Sequence, residues 1–150
     1  MLAPFYHVGI IVPELGEAMR DLTSTLGLNW ASEQRAEMPI LLNGIQTTRD
    51  IQFVYSTDGP PYVELIGANE PPWELQDGLQ HMGIWCEDVV ADMEKLVNED
   101  GYTVAATGVT RKGGPGGFAY LNSPTGLLVE LVDQRGKAAL EGWIAGGDYM

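Results

Sequence analysis

The sequence is poor in sulfur, imidazole and positive charge. It has one cysteine, Cys86, which excludes an internal disulfide framework and any cysteine-based zinc cluster; alone, it reads as a small buried hydrophobe. Eight Lys and Arg stand against 21 Asp and Glu, for a net charge of −13. A field of that sign repels phosphate backbones and anionic lipid, so neither nucleic acid nor a membrane surface is expected as partner. No apolar run approaches the roughly 20 residues of a membrane-spanning helix. Met1-Leu2-Ala3-Pro4-Phe5 has no basic segment ahead of an apolar stretch and does not read as a secretion signal, which places the protein in the cytoplasm. At 150 residues the chain suits one domain, not separate cofactor and substrate lobes.

What the sequence does contain is a repeat. His7-Val8-Gly9-Ile10 returns as His81-Met82-Gly83-Ile84, and Gly27 returns as Gly101, both with an offset of 74 residues. Each copy closes on an apolar run with one acid inside it, Tyr62-Val63-Glu64-Leu65-Ile66 and Leu128-Val129-Glu130-Leu131-Val132. The offset has shrunk to 66 there, so the second copy is eight residues shorter in its middle loops, where deletions are best tolerated. Two modules of one ancestry follow, module 1 over about 4–67 and module 2 over about 79–133. Residues 68–78, with Pro71-Pro72 and three acids, form a linker, and 134–150 a tail outside the repeat.

Each module reads as strand, helix, then three strands. Phe5–Val12 is apolar and β-rich, and Pro13 ends it. Ala18, Leu22 and Leu26 recur at i, i+4, i+8 as one helical stripe, with Gly27 placed as a C-cap; Val89, Met93, Leu96 and Val97 repeat the pattern before Gly101. Strands are expected around the Asp58-Gly59-Pro60-Pro61 and Ser123-Pro124-Thr125-Gly126 turns. The fold class is therefore α+β, from paired βαβββ modules.

The chemistry lies in the four polar residues that the repeat makes equivalent: His7, Glu64, His81 and Glu130. Each sits in a run otherwise apolar, where an unpaired carboxylate is costly to desolvate. With side chains alternating along a strand, Glu64 shares a face with Tyr62 and Ile66, and Glu130 with Leu128 and Val132. If the modules pack about a pseudo-two-fold axis, each gives one imidazole and one carboxylate to a common cavity. One divalent metal ion would neutralise both acids and accept both imidazole lone pairs. Phe53, Tyr62, Trp85 and Tyr120 fall in predicted strands and would line the cavity as a substrate pocket if they face it.

These residues, with Val63-Glu64-Leu65, Gly78-Leu79-Gln80-His81 and Asn122-Ser123-Pro124-Thr125-Gly126-Leu127-Leu128-Val129-Glu130-Leu131, resemble the vicinal oxygen chelate superfamily over Phe5 to Asp133. The resemblance implies a cup-shaped mixed β-sheet with flanking helices around a divalent ion, a small-molecule substrate and a homodimer. His-Glu-His-Glu in all four positions is similar to the glyoxalase I and methylmalonyl-CoA epimerase branch, which implies nickel, cobalt, manganese, zinc or iron. The reaction implied is that of an isomerase, epimerase or lyase: a base removes a proton next to a carbonyl, and the metal stabilises the enolate or enediolate. The resemblance assigns Glu130 a second role as that base; the residues alone leave it equally a permanent ligand. No acid stands at Gln46-Thr47-Thr48, where the epimerase resemblance expects a second one, unless Glu33, Glu37 or Asp50 reaches the pocket. No arginine follows His7 to hold a glutathione carboxylate. Arg111-Lys112 beside Gly113–Gly117 is the one cationic spot that could meet a phosphate, and it reads better as a hairpin loop. The alternatives are a non-haem iron dioxygenase with one glutamate idle, and a metal-free drug- or metabolite-binding module.

Overall fold

A computed structural model of the chain describes residues 4–149. Its first half runs β1 (Phe5–Val12), α1 (Leu15–Leu26), β2 (Gln34–Leu42), β3 (Ile45–Tyr55) and β4 (Tyr62–Gly67). The second repeats the order as β5 (Leu79–Cys86), α2 (Val89–Asp100), β6 (Thr103–Val109), β7 (Pro115–Asn122) and β8 (Leu128–Asp133), followed by a short 3-10 turn and α3 (Lys137–Ile144). The strand order β1-β4-β3-β2-β6-β7-β8-β5 closes on itself, giving one eight-stranded mixed sheet with helices outside. β1 pairs parallel with β4 and β5 with β8; all other neighbours are antiparallel. The halves are joined twice, through β1–β5 and through the shorter β2–β6 contact.

Local chemistry explains the elements. Glu14 and Asp88 cap the two long helices by accepting from backbone N–H groups in the first turn. Gly27 and Gly101 end them in the left-handed region, at φ 73° and 74°. The helical stripes are narrower than the sequence spacing suggests. Leu15, Ala18, Met19 and Leu22 pack α1 on the sheet, but Leu26 is 68% exposed. Val89, Met93 and Leu96 pack α2, but Val97 is exposed. Both misplaced residues stand eight positions after the start of their stripe. At about 100° per residue that spacing drifts by roughly 80°, enough to leave the apolar face. β2, which carries no clear pattern in the sequence, tolerates Pro39 because β6 joins it only from Ile40 onward.

Alternation then sorts the side chains. Val63, Leu65, Val129 and Leu131 face the helices. Tyr62, Ile66, Leu128 and Val132 face the interior of the cup. The linker is more than a connection, since Trp73 from it is buried in the cup and donates its Nε1–H to the Tyr120 hydroxyl at 3.0 Å. The tail folds over the cup: Leu140 and Trp143 are buried, and Trp143 donates to the Ser32 carbonyl and hydroxyl. Among the described residues no helix is long and apolar enough to cross a membrane.

Candidate metal centre

The closure between β1 and β5 creates the site. In their antiparallel register His7 stands opposite Gly83 and His81 opposite Gly9. Each imidazole lies over the glycine of the other strand. A Cβ at Gly9 would come within 1.9 Å of His81 Cε1, and one at Gly83 within 1.9 Å of His7 Cε1. The glycine two places after each histidine is therefore the seat of the other histidine. The parallel partners bring the acids to the same level, with Glu64 beside Gly9 and Glu130 beside Gly83.

The four side chains converge. His7 Nε2 and His81 Nε2 are 3.0 Å apart. Glu64 Oε1 lies 3.4 Å from His7 Nε2 and 3.3 Å from His81 Nε2; Glu130 Oε1 lies 3.1 and 3.2 Å from the same atoms. All four ligand atoms fall within 4.8 Å of one another. Donor atoms bound to one ion at about 2.0–2.2 Å are separated from their neighbours by about 2.8–3.6 Å, so these residues fit a divalent ion. Both imidazoles are fully buried, and the carboxylate side chains retain only 12% and 13% exposure.

The electrostatics agree with a site built to gather charge. Burial works against an imidazolium at His81, but hydrogen bonds and attraction from Glu130 and Glu64 outweigh it and push the pKa up to about 9. Burial also opposes charge on Glu130, yet hydrogen bonds from His7 and His81 bring it down to about 2 and keep it ionised. The hydroxyls of Tyr6, Tyr55 and Tyr120 are raised well above the usual tyrosine range, chiefly by burial and then by the two carboxylates. They stay protonated around the cluster.

The two imidazoles differ behind the site. His81 Nδ1 is 2.9 Å from Gln80 Oε1, and Gln80 Nε2 donates to the Pro72 carbonyl at 2.6 Å. That amide fixes Nδ1–H and leaves Nε2 turned to the cluster. Among the described residues His7 Nδ1 has no partner. Gln80 stands within the sequence motif, yet nothing there signals the role, because its second partner belongs to the linker. Gly9 and Gly83 are likewise in the repeated motif, but their purpose depends on the pairing of the halves.

The predicted pocket residues divide. Tyr62 and Trp85 line a cavity beside the cluster, together with Tyr6, whose ring stacks on Trp85 at 3.9 Å. Phe53 and Tyr120 are packed more deeply, Phe53 edge-on to Trp143 and Tyr120 against His81 at 4.9 Å. Glu33, Glu37 and Asp50 are exposed, and Asp50 pairs with Arg35 at 3.2 Å. The inner face of β3 offers Thr47, Arg49, Ile51 and Phe53, with no acid; buried Arg49 donates to the linker carbonyl of Pro71 at 2.8 Å. Arg111 and Lys112 sit in the exposed turn between β6 and β7.

Comparisons with known proteins agree with this architecture. The model of the Glyoxalase/Bleomycin resistance protein/Dioxygenase superfamily matches residues 6–120. A hypothetical protein from Bacillus halodurans superposes with a TM-score of 0.59 at 18% identity, covering 87% of this chain and 93% of that one. Streptomyces coelicolor methylmalonyl-CoA epimerase gives 0.57 at 18% identity, over 89% and 98% of the two chains. The 4-hydroxymandelate synthase of Streptomyces coelicolor gives 0.57 at 18% identity, over 88% of this chain and 38% of that longer one. No curated protein matches the sequence.

Proposed function

The chain belongs to the glyoxalase/bleomycin resistance protein/dioxygenase superfamily, and we propose that within it the protein is a divalent-metal-dependent isomerase, epimerase or lyase. It removes a proton next to the carbonyl of a small organic or thioester substrate. The observation that carries this reading is the convergence of His7, Glu64, His81 and Glu130 on one point. These four residues would hold the ion, and nickel, cobalt, manganese, zinc and iron all suit two imidazoles with two carboxylates. A divalent ion bound there supplies Lewis acidity toward a carbonyl oxygen, which acidifies the neighbouring C–H.

The chain's own groups supply the rest. Glu130, 3.1 and 3.2 Å from the two imidazoles, is the base that takes the proton from carbon. Glu64 remains a ligand. The neutral tyrosines and the tail helix keep bulk water from the cup. With Glu33, Glu37 and Asp50 outside the cup, one carboxylate both takes and returns the proton. That favours isomerisation, in which the same carboxylate returns the proton to a neighbouring atom, or elimination, in which it hands the proton to the departing group, over epimerisation between two bases. Glu130→Gln tests the assignment: folding persists, while solvent-deuterium exchange at the reacting C–H of a confirmed substrate falls by about 100-fold or more. Unchanged exchange would leave Glu130 a ligand only.

A further inference from the structure

A cavity of about 430 Å³ lies between the inner wall of β1, β4 and β5 and the tail helix α3. Its walls are the next residues along the strands that carry the cluster. Tyr62 stands two before Glu64 on β4, and Trp85 two after Gly83 on β5. Tyr6 precedes His7, with ring centroids 4.5 Å apart. Two residues along a strand span about 6.6 Å, so the cavity begins one row of side chains from Glu64 on β4 and two rows from His81 on β5. Tyr6 and Trp85 stack with only 9° between their planes, which makes that wall flat and π-rich, and Leu140 of α3 lines it from the tail. Among the described residues the one cation lining it, Lys137, is 3.9 Å from Glu141.

Resting on the metal-centre reading above, we infer that this cavity takes the aryl group of a compact substrate whose carbonyl end reaches the cluster, with α3 as its roof. The volume falls in the range of small-molecule sites, about 300–1,000 Å³. Aromatic walls favour a flat ring through offset or edge contacts. The phosphates of a nucleotide-bearing thioester would meet Glu141 and a chain of net charge −13, with no set of cations among the described lining residues to receive them. The tail, outside the repeat, thus becomes a determinant of specificity: it gives the cup a roof fitted to a ring.

Benzohydroxamate and acetohydroxamate test this, because both present two adjacent oxygens to an ion and differ only in phenyl for methyl. In calorimetric titration of the nickel-loaded protein, benzohydroxamate binds about tenfold tighter or more. Trp85→Leu, which removes the stacking wall, and Leu140→Phe, which fills the space, each bring that ratio toward one while nickel content is kept. Equal affinity in the wild type, or a ratio that survives both variants, overturns the inference. If the protein holds no ion and neither hydroxamate binds, the metal-centre reading fails instead. Phenol then decides the cavity in the metal-free protein: shifts confined to the Trp85 indole N–H and Leu140 methyl resonances sustain it, and their absence overturns it.

Discussion

A single methyl group at position 9 or 83 would collide with an imidazole. Gly83→Ala puts a Cβ within 1.9 Å of His7 Cε1, and the atoms around that ring are too closely packed to give way. The variant is expected to lose about 1–3 kcal/mol of stability, read by chemical denaturation, together with most of its metal content. Wild-type values for both would mean that the rings do not seat on these glycines. Gln80→Met keeps the volume but removes the partner of His81 Nδ1, and should weaken divalent-metal affinity about 10–100-fold in a competition titration. An unchanged affinity would make Gln80 a prop for the linker and nothing more. At this scale the four cluster residues are legible in the sequence, because the repeat makes two His and two Glu equivalent in otherwise apolar runs. The support behind them is not. Gln80 is the neighbour of His81 in sequence, but its fixed position depends on Pro72, and seating on glycine depends on pairings 72 and 76 residues apart.

Strands and helices follow the sequence where one periodicity dominates. β1, β4, β5 and β8 carry the apolar runs, and their alternation places Glu64 and Glu130 toward the cup with Tyr62, Ile66, Leu128 and Val132. The helix ends differ because i, i+4, i+8 is not a straight line on a helix of 3.6 residues per turn, so Leu26 and Val97 turn outward. Elements held by tertiary contact are the hardest to foresee. Trp73 lies in a segment with the composition of a linker, yet it is 2% exposed. The tail has four glycines and no repeat partner, but α3 docks through Trp143, which packs edge-on to Phe53 and Tyr55 at 5.8 and 5.7 Å. Trp143→Ala should cost about 3–5 kcal/mol in urea denaturation, as expected for a large aromatic lost from a packed site. A cost below about 1 kcal/mol would show the tail to be loosely attached, and with it the roof of the cup.

In the whole molecule, function depends on two halves meeting. Each half contributes one imidazole and one carboxylate to the cluster, so closure of the barrel brings the four groups together within one chain. The homodimer implied by the family resemblance, which we retain as a proposal, is not needed to complete this centre. The expected stoichiometry is therefore about one divalent ion per chain, whatever the oligomeric state. The net charge of −13 adds a general attraction for cations, but loose attraction would not depend on one buried imidazole. Plasma mass spectrometry of the purified protein beside His81→Ala measures this most directly. The account predicts about one nickel, cobalt, manganese, zinc or iron per chain in the wild type and a loss of nearly all of it in the variant; no ion in either protein after reconstitution, or equal metal in both, would contradict it.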